Sequence, residues 1–249
     1  MNEVLAISLH SMQADMARLE QIGMNLANVL TPGYKRGFAV QGAQGASFAA
    51  YLSNAAATSR GPTSTAELVE FASDLRAGTL RSTGHSLDVA LAGKGYFEVI
   101  TPGGPAYTRQ GNFRLDGSGR LVTAHGYPVM GTAGEIVLEA ANPVIAASGE
   151  ITAAMGQRPA LGQLKVVEFS DSKLPLLGDG LHAAGSGMKV LADEQVQLRQ
   201  GFLENSSVSS TAEMTSLVQT VRHFESMQKT AQGYDEMLGT AIRKLGETS

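Results

Sequence analysis

Residues 3–35 read EVLAISLHSMQADMARLEQIGMNLANVLTPGYK, and the spacing of apolar residues in this stretch decides the architecture. Leu5, Leu9, Met12, Met16, Leu19, Leu26 and Leu30 recur at alternating four- and three-residue intervals, which lays them along one seam of a helix. Gly23 holds the one seam position that is not apolar. The pattern predicts a helix over 3–30, stopped at Thr31-Pro32-Gly33 because proline cannot continue the hydrogen-bond ladder. The other end of the chain repeats the design. Leu217, Phe224, Ala231, Leu238 and Leu245 follow one another at seven-residue intervals, with Val221 and Ile242 between them. Ser210 followed by Glu213 forms a capping box ahead of that run, so a second helix is expected from near Thr211 to about Leu245.

Between the helices the period changes. Ser86–Leu91, Gly95–Ile100 and Ala106–Arg109 are strand candidates, separated by Pro102-Gly103-Gly104. Asn112–Leu115 runs into Asp116-Gly117, a hairpin signal, and Arg120–Thr123 follows it. Further short strands are expected at Pro128–Met130, Glu135–Leu138, Gly149–Thr152 and Gln163–Phe169. Strands recurring roughly every ten residues with turn signals between them predict an antiparallel sandwich or barrel-like body. The stretch from Gly42 to Pro62 is rich in Ala, Gly, Ser and Thr, without a period, and reads as a connection. The fold class is α+β: terminal amphipathic helices pairing as a coiled-coil-like unit around an all-β centre of short antiparallel strands. Four segments follow, at 1–36, 37–77, 78–200 and 201–249.

Composition narrows the function. The 249 residues carry a formal charge of −4, which supplies no basic face for nucleic acid. The chain has no cysteine, and therefore neither disulfides nor thiolate metal sites. No apolar run is long enough to span a bilayer, so no membrane insertion is expected. Glu3, Asp15 and Arg18 interrupt the first apolar positions, which excludes a signal-peptide core there.

Catalytic patterns are missing. His10, His85, His125, His182 and His223 are scattered, none at ligand spacing, and His10 and His223 fall on expected helices as exposed residues. There is no Gly-x-Ser-x-Gly elbow. Gly93-Lys94-Gly95 has neither a Ser or Thr after its lysine nor a helix to follow, so it is no phosphate loop. Asp116–Arg120 lacks the acidic positions of a calcium loop and reads as a hairpin turn. No enzyme activity, metal or cofactor is expected.

Asn25-Leu26-Ala27-Asn28-Val29-Leu30-Thr31-Pro32-Gly33-Tyr34-Lys35 closely resembles the N-terminal signature of bacterial flagellar rod and hook proteins, with every specified position of that pattern present. Leu87-Asp88-Val89-Ala90-Leu91 with Gly95-Tyr96-Phe97 is similar to the central segment of that family. Tyr107-Thr108-Arg109 with Leu121-Val122-Thr123 is similar to its next hairpin. Gly201–Val208 resembles the stretch before its C-terminal helix, with Ser207 where asparagine is usual. The short segment before Leu87 and Arg222-His223-Phe224-Glu225 are more similar to proximal than to distal rod subunits.

The resemblance implies a structural subunit of the basal-body rod, polymerising through its terminal helices into the shaft that carries torque from motor to hook. It implies export through the flagellar type III apparatus without a cleaved signal peptide, a periplasmic location, and contacts with further copies and neighbouring rod subunits. The interface residues would be Leu5, Leu9, Met12, Met16, Leu19, Leu26, Leu30, Leu217, Val221, Phe224, Leu238, Ile242 and Leu245. Asn25 and Asn28 would join them through hydrogen bonds between helices or at the helix end, and Thr31, Pro32, Gly33, Tyr34 and Lys35 carry the family motif. The alternative reading is a carbohydrate- or wall-binding β module oligomerised by its coiled-coil ends.

Overall fold

The computed structural model of the chain describes residues 2–40, 70–74, 76–138, 143–153, 160–170 and 174–246. The expected connection over 42–62 lies outside them, as do the side chains of Leu5, Leu238, Ile242 and Leu245. The chain divides into two compact units. One holds Met1–Met24, Phe38–Phe71 and Thr211–Ser249, and the other Asn25–Gly37 and Ala72–Ser210.

The described residues of the first unit are mostly helical. Helix α1 spans Asn2–Ala27 and helix α2 spans Ser210–Gly246. Helix α1 stops three residues before the expected end. Beyond Ala27 the amides of Asn28 and Thr31 donate to the carbonyls of Asn25 and Asn28, three residues back, at 3.2 and 3.1 Å. The chain thus tightens before the proline instead of running straight into it. Helix α2 starts within one residue of the capping-box expectation, and Glu213 is fully buried in its first turn.

The second unit is the β body. Its largest sheet has six strands in the order 176–178, 181–182, 104–108, 96–101, 166–168 and 189–190, every pair antiparallel. Its central hairpin pairs Tyr96–Thr101 with Gly104–Thr108, turning at the expected Pro-Gly-Gly. Small two- and three-stranded sheets surround it in the sequence. The Asp116 turn is built on its carboxylate, which accepts the amides of Ser118 and Arg120 at 2.8 and 2.9 Å and links Arg114–Leu115 to Leu121–Val122. With no tryptophan in the chain, the core is aliphatic: Val89, Leu91, Val99, Leu121, Val129, Ile151, Leu164 and Val166 pack around Phe97 and Phe113, whose rings meet edge to face at 5.2 Å.

One local turn prepares the functional geometry. Leu198–Gln200 pairs with Val89–Leu91, and immediately afterwards Phe202–Glu204 pairs with Leu80–Ser82. Gly201, between them at φ +75°, allows the switch of partner that a side chain would oppose. The switch carries Glu204 inward beside Gly78.

Candidate assembly interface and its buried joint

The motif residues that close α1 do not hang free; they are bolted into the β body. The Asn25 side chain works as a two-way clamp on the chain beyond the turn. Its Nδ2 donates to the Gly37 carbonyl at 2.8 Å, and its Oδ1 accepts the Gly37 amide at 3.0 Å and the Tyr34 hydroxyl at 3.3 Å. Asn28 accepts the Thr31 hydroxyl at 3.0 Å. The described bonds of both asparagines therefore fix the turn itself.

Gly33 is left-handed at φ +68°, and its amide donates to the Glu204 carbonyl at 2.8 Å. A Cβ there would lie 2.4 Å from the Arg109 carbonyl, so only glycine fits. Ser207 completes the seat: its amide donates to the Tyr34 carbonyl at 3.0 Å and its hydroxyl accepts the Arg36 amide at 2.8 Å. The hydroxyl at this position can accept that bond, so the departure from asparagine keeps a polar acceptor.

Beneath the turn lies a buried ionic triad. Lys35 Nζ donates to Glu204 Oε1 and to the Arg76 carbonyl, both at 2.6 Å. Arg109 Nη1 donates to Glu204 Oε2 at 3.1 Å and Nη2 to the Gly93 carbonyl at 2.9 Å, while the Gly78 amide adds a 2.6 Å bond to Glu204 Oε1. All three side chains are buried. Burial pushes the Glu204 carboxyl up, but Arg109, Lys35 and the bonds from Lys35 and Gly78 outweigh it and hold the group below the ordinary carboxylate range. Burial lowers the Lys35 ammonium, and Glu204 restores only part of that shift. One carboxylate thus serves two cations, and it joins three stretches far apart in sequence: the Thr-Pro-Gly-Tyr-Lys turn, Tyr107-Thr108-Arg109 and Leu203-Glu204.

The sequence pointed to Lys35 only as a motif residue and gave Arg109 and Glu204 no role. Spacing cannot reveal a pairing across 169 residues. Nor did it single out His182, which is buried beside Tyr96 with ring centroids 5.5 Å apart. Burial lowers the His182 imidazole to about 4. In the unfolded chain it titrates near 6.5, so between those values the unfolded state binds the extra proton. Stability is therefore complete above pH 6.5 and falls as the pH drops toward 4, by roughly 3 kcal/mol from this group. Urea unfolding of the β body at stepped pH is expected to show that slope, and His182→Leu to flatten it.

The helix residues fall into two sets. Helix α1 buries Ser8, Asp15, Gln21, Ile22 and Asn25, a mainly polar face. Of the expected seam, Leu9 and Met16 are 57% and 61% exposed and Leu30 is exposed, whereas Met12, Leu19 and Leu26 are half-buried. On α2, Leu217, Phe224 and Ala231 are half-buried, and Val221 lies on an exposed stripe with Met214 and Val218. A polar contact joins the helices: His223 Nδ1 lies 2.6 Å from the Asp15 carboxylate. Among the described residues no three His, Asp or Glu side chains gather as a metal would need, and no helix is long and apolar enough to cross a membrane.

Two family models match: the flagellar hook protein FlgE/F/G D1 domain over residues 90–153, and the flagellar basal body rod FlgEFG protein C-terminal region over 199–244. The first covers the core hairpins, and the second runs from the strand at Leu198–Gln200 through Glu204 into α2. Over 97% of both chains, this one is 32% identical to the flagellar basal-body rod protein FlgF of Rhizobium meliloti. It is 33% identical to FlgG of Bacillus subtilis over 92% of this chain and 94% of that one. FlgF of Escherichia coli is 32% identical over 69% of this chain and 73% of its own. The chain belongs to the family of flagellar basal-body rod proteins of the FlgF/FlgG type.

Proposed function

We propose that the chain is a structural subunit of the flagellar basal-body rod, of the proximal FlgF type ahead of the distal FlgG type. Its terminal helices, with the turn at 31–36, form the assembly core. The observation that supports this reading most is the pair of exposed apolar stripes, Leu9 with Met16 on α1 and Met214, Val218 and Val221 on α2, beside buried polar residues on α1. Contiguous apolar surface left outside a fold marks an interaction site. Copies and neighbouring rod subunits cover these stripes, with Leu5, Met12, Leu19, Leu26, Leu30, Leu217, Phe224, Leu238, Ile242 and Leu245 completing the contacts as the two helices pack in coiled-coil fashion with those of neighbours. Head-to-tail contacts of this kind do not close, so they build a helical shaft.

The buried joint has a mechanical task here. Asn25, Gly33 and the Lys35–Glu204–Arg109 triad hold the turn at 31–36 firmly within the β body, which suits that turn to bearing load. The chain leaves the cytoplasm unfolded through the type III export apparatus, a route to which the lack of cysteine is suited, and it folds on the growing rod in the periplasm. The role is structural and not catalytic. The test is a flagellated bacterium lacking its own copy of this chain, supplied with it in trans. Restored swimming, with the chain identified by mass in purified basal bodies, is the expected result. Its absence from basal bodies of swimming cells would overturn the reading.

A further inference from the structure

Helix α1 is turned the wrong way round for a helix that simply minimises its exposed apolar surface. Ser8, Asp15 and Ile22, seven residues apart, lie on the buried line, while Leu9 and Met16, one position on and about 100° around the axis, face outward. An amphipathic helix ordinarily buries the second set. Something must hold the rotation against the hydrophobic gain of reversing it, and the Asp15 carboxylate is placed to do so. Its side chain is only 2% exposed, and it sits 2.6 Å from Nδ1 of His223, itself 48% exposed, with Arg18 Nη1 at 3.7 Å from its other oxygen. A buried carboxylate is tolerated only with a partner. Arg18 lies on the same helix and turns with Asp15, so of the two partners only His223 ties the carboxylate to α2.

We infer that the Asp15–His223 pair is a register key: it fixes the rotation of α1 and its alignment with α2, and so keeps the Leu9–Met16 stripe turned outward for neighbouring subunits. The inference rests on the assembly reading above and names the residues that set its specificity. Buried polar pairs between helices contribute little net stability compared with apolar packing, and their best-attested use is to select one register. The key thus holds surface open at some cost to the isolated chain. Replacing it with apolar residues frees α1 to rotate Leu9 and Met16 inward and removes the surface that assembly requires.

Four full-length forms, supplied to cells lacking the chain, test this: wild type, Asp15→Leu, Asp15→Leu/His223→Leu, and the exchanged pair Asp15→His/His223→Asp. The double-leucine chain is expected to melt no lower than wild type, yet to enter basal bodies at a level reduced by roughly tenfold, as lost register specificity requires. The exchanged pair is expected to restore incorporation to within about twofold, because it rebuilds the same contact. A merely structural polar pair would give the opposite order, with the more stable double-leucine chain assembling normally. Wild-type incorporation by the double-leucine chain overturns the key, and so does an exchanged pair as defective as single Asp15→Leu. If the double-leucine chain fails to fold, the exchanged pair still decides. Wild type absent from basal bodies would instead overturn the rod reading, which the key presupposes.

Discussion

Glu204→Gln is expected to destabilise the β body by about 3–5 kcal/mol, the range seen when one member of a buried ionic group is removed. The substitution barely changes the shape of the side chain. It leaves Lys35 and Arg109 buried with no negative charge between them and replaces an acceptor oxygen with an amide that faces cations. Lys35→Met is expected to cost clearly less, because Glu204 keeps Arg109 at 3.1 Å and the Gly78 amide at 2.6 Å. That order follows from one carboxylate serving two cations, and urea midpoints of the purified variants measure it. The sign in pH is equally definite. Glu204 is held below its unfolded value, so its contribution is present above the ordinary carboxyl range and is lost as acid protonates it in the folded state. His182 loses its share first, between pH 6.5 and about 4, so acid unfolding should proceed in two overlapping stages.

Leu9→Asp is expected to abolish swimming while leaving the chain folded. Leu9 is already more than half exposed, so the substitution removes little packing from the single chain. Its local cost is the weaker helix propensity of aspartate, below about 0.7 kcal/mol. In an assembled rod the same carboxylate would be enclosed among apolar side chains with no partner, a penalty of several kcal/mol at every copy. The unequal costs separate an assembly surface from an ordinary core position. Phe224→Asp is expected to abolish assembly too, but Phe224 is half-buried in the chain, so it should also lower the melting temperature of the helical unit. Swimming-halo diameter and the thermal melt of each purified variant check the pair. Normal swimming by both would exclude these helix faces from the intersubunit contacts.

The parts of the fold that sequence made legible are those set by local period and turn chemistry. The heptad spacing located both helices, the capping box placed the start of α2 within one residue, and Pro-Gly-Gly and Asp-Gly marked the hairpins at 102–104 and 116–120. The expected end of α1 at Leu30 was three residues late, because the apolar stripe continues past the point where the chain tightens into short turns. The stripe was legible, but its direction was not: period alone does not say whether Leu9 and Met16 face the same chain or a neighbour. The choice depends on where Asp15 finds a partner, and that partner lies 208 residues away. The ionic joint was illegible for the same reason. Lys35, Arg109 and Glu204 each stood in a recognisable motif, but the convergence of those motifs on one carboxylate is set by the change of partner at Gly201, a property of the sheet and not of any local stretch.

The most direct test of assembly through the terminal helices uses the absence of cysteine from the chain. Met16→Cys introduces a single thiol at a position 61% exposed in the single chain, and its reaction with a small thiol reagent can be followed in the free protein and in purified basal bodies. Rapid labelling of the free chain and protection in the basal body is the predicted result, as coverage of the α1 stripe by neighbouring subunits requires. Equal labelling in both states would contradict the account.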